Sequence, residues 1–411
     1  MKIRKNNIRY LEPTLFATKI PDYFEGLSKK ERQNAFKEIA SHHRGEYKNI
    51  LDRITNELIP HLNPLHILAH FAYYDNLVIP ASNRIKPSEE TDYFPLDQGH
   101  IEFLQALILT MPLDKFTNSI DAGYERIILD LHEQLGGVHV SWSLSRFDQI
   151  REKTNVSLIE YFRGRTAIIR NWGDTEQVFQ WLETMYSGDD GLLKRNRGIT
   201  FTQLIRTIRK LLSLLEDRIN DRKQILRPVI CAATKEEAVK AYFKVDGVSD
   251  DQEKEGFERM MALPCDLLSL KNILALHFDR DLKSLFLITR EDLDSILSEV
   301  EVCAVLNVFD QWSMVPLSLE AHKIEHFFMS NPVWSKPLIK ISEEAYFWPL
   351  MHVFQSFGLE MLSSLYSSKE LKNFEMNVKS QFCESKVVEL FKEYFPCATV
   401  LANNYYFDRG T

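Results

Sequence analysis

"TFTQLIRTIRKLLSLLEDRINDRK" (200–223) decides the fold class. Phe201, Leu204, Ile205, Ile208, Leu211, Leu212, Leu215 and Ile219 recur at i, i+3, i+4 and i+7, so they form one apolar stripe on an α-helix. A strand would alternate apolar and polar residues in twos. Downstream, Arg227-Pro228 predicts the end of this region, because proline has no N–H to give the preceding turn.

The same period recurs in both directions. Ser28 with Glu31 is a capping-box pattern, followed by Tyr47, Ile50, Leu51, Ile54 and Leu58 at helical spacing. Gly45 predicts a break between two helices there. "PLHILAHFAYY" (64–74) is a further helix, residues 75–97 a polar loop or short irregular strands, and helices resume near His100, Ile120, Ser157 and Thr175. Thr234 with Glu237 opens an acidic helical segment to about Met261, and "CDLLSLKNILALHF" and "TREDLDSIL" are helical. After Ser330 the chemistry changes. Trp334, Leu338, Ile339 and Ile341 lead into a polar Ser342-Glu343-Glu344 turn and then Tyr346-Phe347-Trp348, which predicts a hairpin or paired extended segments. Helices at 351–366 and 368–395 follow. Pro396 stops the second, and Thr399–Phe407 has the pattern of a strand. The fold class is therefore mainly α: a multi-helix N-terminal region with a small α+β C-terminal region of hairpin, two helices and terminal strand.

The 411 residues point to about two or three domains, divided as 1–230, 231–330 and 331–411. Gly and Pro number only 15 each, which favours long helices over many short strands. No apolar run is long enough to span a bilayer, and the N-terminus has no apolar segment of the secretory kind. No membrane partner is expected. Five dispersed cysteines with no C-x-x-C predict reduced, mostly buried thiols in a cytoplasm.

Charge is unevenly distributed. Residues 191–227 carry ten Lys and Arg against three acids, a local +7, so the remainder of a chain at −8 stands at −15. Lys194, Arg195, Arg197, Arg206, Arg209 and Lys210 are the candidate nucleic-acid contacts, and a solvated helix face is the competing explanation. Aromatic residues are not interleaved there, so stacking on single strands is not expected.

His322-Lys323-Ile324-Glu325-His326 has the H-x-x-E-H spacing of a zinc peptidase helix. So short a pattern arises by chance in a long chain, and only 85 residues follow His326 to supply a further ligand. No metal ligand and no cofactor is assigned on this basis. His66 and His70, at i, i+4 in an apolar helix with no intervening Glu, fit a hydrogen-bonded pair in the core or at an interface. Phosphate-cradling glycine motifs and the G-x-S-x-G elbow are absent from the sequence.

"NPVWSKPLIKISEEAYFWPL" together with "LKNFEMNVKSQFCESKVVELFKEYFPCATVLANNYYF" resembles the segment that leads into the C-terminal domain of large bacterial proteins ending in a restriction-endonuclease-like fold of the PD-(D/E)XK type. The resemblance covers about the last 80 residues. It matches the family's amphipathic helix with an early acid to Phe374-Glu375, Val378, Phe382, Val387, Leu390 and Phe391, and its first strand to 399–407. The family's Asp and Glu-x-Lys, whose carboxylates hold the metal that activates water, would fall after Thr411. Glu375 is then the one residue of an incomplete catalytic site. Glu46-Tyr47-Lys48, Glu370-Leu371-Lys372 and Glu384-Ser385-Lys386 have the Glu-x-Lys spacing but lie on expected helices, as surface charge. The resemblance implies a non-catalytic binding or regulatory module of a bacterial nuclease-type, defence-related protein that stops before its active site, the nuclease core being either the continuation of a longer protein or separately encoded; otherwise the last strand joins the hairpin at 333–348. The alternatives are a metal-dependent nuclease completed by a partner chain and, more remotely, the H-x-x-E-H metallopeptidase.

Overall fold

Helix 201–231 is the spine of the protein. It is seen here in a computed structural model that describes residues 26–76, 98–112, 114, 124–146, 148, 175–246, 250–328 and 330–394. The first 25 residues, the 77–97 loop, the helix expected near Ser157 and the terminal strand at 399–407 lie outside the described residues. We label the helices in chain order: α1 Lys29–Asp52, α2 Pro64–Asn76, α3 Gln98–Ile108, α4 Tyr124–Leu144, α5 Thr175–Tyr186, α6 Asp190–Arg197, α7 Phe201–Cys231, α8 Lys235–Asp246, α9 Asp250–Met261, α10 Leu267–Phe278, α11 Leu282–Leu285, α12 Arg290–Asp294, α13 Glu299–Gln311, α14 Val353–Ser363, α15 Ser368–Phe374 and α16 Ser380–Tyr394. The strands are β1 Leu287–Thr289, β2 Ser313–Met314, β3 Leu338–Ser342 and β4 Ala345–Phe347. The protein is mainly helical with a small sheet.

Local chemistry sets the helix starts. Thr200 accepts from the Gln203 N–H at 3.0 Å while Gln203 accepts from the Thr200 N–H at 3.1 Å, so α7 opens with two of its orphan donors satisfied. Ser28 with Glu31, Ser298 with Glu301 and Ser367 with Glu370 do the same for α1, α13 and α15. At α8 the Thr234 hydroxyl accepts from the Glu237 N–H, and Glu237 reaches back to Ala233, one residue before the expected position.

Two expectations about breaks are corrected. Gly45 does not divide α1, which runs unbroken from Lys29 to Asp52. A single helical glycine costs about 1 kcal/mol relative to alanine, less than the packing of α1 supplies. Pro228 does not end α7, which continues to Cys231. Val229 beyond the proline is fully buried, and that burial outweighs the loss of one hydrogen bond in the last turn.

All eight residues of the α7 stripe are buried. They enter a main hydrophobic cluster that collects α1 to α5, the sheet, α13, α14 and Phe374. Past Ile219 the same helix enters a second, smaller cluster: Val229, Ala232, Ala238, Val239, Tyr242, Phe243, Leu270 and Leu274, from α7, α8 and α10. Residues 282–328 belong to the main cluster, and the sheet joins strands from both sides of residue 330.

The expected hairpin is present as β3–β4, antiparallel, with an irregularity between Lys340 and Ser342. The sheet order is β1-β4-β3-β2, with β1 antiparallel to β4 and β2 parallel to β3. Trp312, Tyr346, Phe347 and Trp348 are buried around it, with Tyr346 against Phe309 and Phe347 against Phe286, and the Trp312 indole donates to the Met361 carbonyl at 3.0 Å, fastening the sheet to α14. α1 lies along α4. Arg44 pairs with Asp148 and Arg53 with Asp130, while a Cβ added at Gly137 would sit 3.4 Å from Ile50. These three contacts run in opposite chain directions, so the two helices are antiparallel.

The four described cysteines are unbridged, and Cys231, Cys303 and Cys383 are exposed. Burial of the thiols, expected from the sequence, is thus corrected for these three. Among the described residues no helix is long and apolar enough to cross a membrane.

Candidate functional site

The six candidate cations lie on two consecutive helices, on either side of the corner between α6 and α7. Lys194, Arg195 and Arg197 form the last turn of α6, where positive charge complements the exposed carbonyls of a helix end. Gly198, at φ +83, closes that helix with its N–H on the Lys194 carbonyl, a left-handed cap that glycine adopts without Cβ strain. Arg206, Arg209 and Lys210 then follow on the first turns of α7.

Acids supplied by other elements face residues 191–227 along their length. Arg206 pairs with Glu183 and Arg209 with Glu176, both on α5. Arg218 pairs with Asp292 and Arg222 with Asp279. Arg197 donates to the Gln311 side chain at 2.7 Å. Glu301 is held below the usual carboxylate range, first by the Ser298 hydroxyl, then by the Ser298 backbone, with Lys210 and Lys194 adding to the effect. Glu370 is lowered by the Ser367 backbone and hydroxyl, with Asn196 and Arg195 contributing. Six carboxylates from outside residues 191–227 therefore face a segment whose own excess is +7. A phosphate arriving at Arg206 and Arg209 must displace Glu183 and Glu176. The Arg206 and Arg209 pairs are about half exposed, and such pairs contribute on the order of 0.2–1 kcal/mol each, so displacement is not prohibitive.

One arginine of this segment is half-buried against a fully buried partner. Arg222 donates to Asp279 at 2.9 Å, Tyr74 donates to the other Asp279 oxygen at 2.7 Å, and the guanidinium lies 5.5 Å from the Tyr73 ring centre. Asp279 is fully buried, and burial raises its pKa while Tyr74 and Arg222 oppose the rise. His66 and His70 lie on α2 in the same interior region. Burial lowers His66 to about 4, with Lys283 and Arg222 adding to the effect, and lowers His70 to about 3, with His66 and His132 adding. The His70 ring packs 4.6 Å from Tyr74 and 5.5 Å from Phe71, and its Nδ1 makes no hydrogen bond. The core placement expected for "HILAH" is observed; hydrogen bonding of that His70 nitrogen is not.

The "HKIEH" residues do not share a helix face. His322 lies in a bend, and Glu325 and His326 belong to a short 3-10 segment, Ile324–Phe328, with all three side chains exposed. The i, i+4 alignment of zinc-peptidase histidines needs the 3.6-residue period of an α-helix through both residues, and His322 is outside any helix.

Glu375 sits in a π-helical turn, Glu375–Lys379, between α15 and α16, and is exposed. The three Glu-x-Lys triplets lie on helices, as their sequence context implies: α1, α15 and α16. Glu370 of the second triplet serves as the cap of α15. Up to Phe382 the chain packs inward through Leu371, Phe374, Val378 and Phe382. Beyond it α16 carries a second stripe at Cys383, Val387, Leu390, Phe391 and Tyr394, and no α16 residue is buried. Val387 is 51 %, Leu390 47 % and Tyr394 71 % exposed.

No family model, curated protein or solved structure matches this chain. Its sites therefore rest on their own geometry. Among the described residues, one trio of ligand-type side chains is gathered closely enough to hold an ion: His42, His43 and Glu46 on α1. Sequence reading passed over this trio because it sought two histidines four residues apart; the signal was H-H-x-x-E, which also falls on one helix face.

Proposed function

We propose that this chain is a binding or regulatory module of a bacterial nuclease-type protein, without catalytic action of its own, and that α16 is its docking element. The observation that supports this reading is the exposed stripe at Val387, Leu390 and Tyr394 on a helix that buries none of its residues. A helix of 15 residues is marginal alone in water, and an apolar stripe about 100° wide is the mark of a covered helix. The partner we assign is the face of a nuclease-like α/β core carried on a separate chain. That assignment and a defence role rest on the resemblance of residues 331–411 to the restriction-endonuclease-like family, and a cytoplasmic setting on the dispersed cysteines without a C-x-x-C. DNA contact through Lys194, Arg195 and Lys210 is a secondary feature of the same reading.

Two experiments test it. Purified chain incubated with supercoiled DNA and Mg2+ or Mn2+ leaves the DNA intact. Cleavage that disappears in Glu375→Gln refutes the non-catalytic reading and supports the metal-dependent nuclease instead. Separately, the chain binds an apolar fluorescent dye, and the Val387→Asp, Leu390→Asp double variant loses that signal while its circular dichroism is unchanged. Equal dye binding by both proteins means that the stripe is not an accessible docking face.

A further inference from the structure

We propose that His42, His43 and Glu46 form a binding site for a divalent transition metal of the zinc class, at the mouth of the groove between α1 and α4. The ligand atoms of all three side chains lie within 4.8 Å of one another, and the His43 Nδ1 is already 2.6 Å from a Glu46 oxygen. Two imidazoles and a carboxylate are the donor set that zinc accepts at about 2.0–2.2 Å, which places neighbouring donors about 3.4 Å apart around a tetrahedral ion. His42 and Glu46 are exposed and His43 is half-buried, so rotamer changes on one helix face bring the three donors to that spacing without backbone movement. The i, i+1, i+4 arrangement gives this geometry because Glu46 stands one turn above both histidines.

A surface His–Glu pair is the bland alternative, and the groove argues against it. An open groove of about 500 Å³ is lined by His42, Gly45, Glu46, Asn49, Arg53 and Gln134, so two of the three ligands face into it. Gly45 lies between them in the middle of a continuous helix, where glycine is unfavourable. No neighbour enforces it, since a Cβ there would have nothing within 4 Å. The missing side chain leaves the floor of the groove open beside Glu46. Gln134 of α4 stands on the opposite wall. Three protein ligands from one helix leave a fourth coordination position, which differs from a structural zinc site closed by four ligands from separate segments. That position faces the groove and takes water or an oxygen ligand, next to the amide of Asn49 and the amide of Gln134.

The probe is Zn2+ alone, titrated by calorimetry into chelator-treated full-length chain. Saturable binding of about one ion per chain in the micromolar range is expected. His42→Ala and Glu46→Gln each weaken it by at least about tenfold without changing the circular dichroism. His322→Ala and His326→Ala leave it unchanged. Absence of saturable binding up to about 1 mM Zn2+ overturns the proposal. So does binding that persists in the His42→Ala, His43→Ala, Glu46→Gln triple variant, which would place the ion elsewhere, for example on the exposed thiols of Cys231, Cys303 and Cys383.

Discussion

α7 and α16 have the same appearance in the sequence and opposite fates in the fold. Each carries an apolar stripe at helical spacing with charge on the remaining face. The stripe of α7 is buried along its whole length; that of α16 beyond Phe382 is about half exposed or more. Periodicity therefore states that a helix has a face to cover. It does not state whether the cover belongs to the same chain, because the cover is a property of distant residues.

The contrast can be broken or sharpened by substitution. The largest effect is expected at the polar edge of α7. Arg222→Ala leaves Asp279 buried without its cation and lowers stability by about 3–5 kcal/mol, measured by urea unfolding. A loss below about 1 kcal/mol would mean that Tyr74 alone sustains the carboxylate. Next comes the stripe itself: Leu211→Ala is expected to cost about 2–5 kcal/mol. The matching change on α16, Leu390→Ala, is expected to stay within about 0.5 kcal/mol in the isolated chain. Equal losses at the two leucines would abolish the distinction between the helices.

Acid provides a third test. His66 has a folded pKa of about 4 against an ordinary value of 6.5, so the unfolded chain takes up its proton first. Its contribution is fully present above about pH 6.5 and is lost as pH falls toward 4, a decline of a few kcal/mol in the urea midpoint series. His70, at about 3, extends the decline to lower pH. Asp279, whose pKa is raised, has the opposite sign and offsets part of the loss, while Lys283, Arg222 and His132 face the same interior. His66→Gln should flatten the profile. At the surface of α7 the effect is also small: Arg206→Gln with Arg209→Gln changes stability by no more than about 1 kcal/mol. If these changes leave any salt-dependent DNA binding unaltered, the corner is a solvated face.

Much of the scaffold was legible because its signals are local. The α7 stripe, the Ser28 and Thr234 caps and the Leu338–Phe347 hairpin each depend on residues within a few positions of one another. β1 and β2 were missed for the opposite reason: three and two residues are too few to show alternation, and each exists as a strand only through its distant partner. Gly45 and Pro228 misled because propensity, at about 1–3 kcal/mol, yields to burial. The basic segment is legible as a run of charge, yet the partners Glu183 and Glu176 of Arg206 and Arg209, and Asp292 and Asp279 of Arg218 and Arg222, could be assigned only in three dimensions. His42, His43 and Glu46 were readable in principle but carry a spacing that no familiar motif advertises.

α7 also has a mechanical consequence. Its 31 residues extend about 46 Å, with one end in the large cluster and the other in the small one. A helix resists bending far more than it resists fraying, so the two clusters share an axle. A torque applied to α8 and α10 turns the shaft, and Arg222, roughly two turns from the far end, is the key that couples it to α2. Pro228, which cannot donate to the preceding turn, stands beside Val229 where that shaft enters the small cluster.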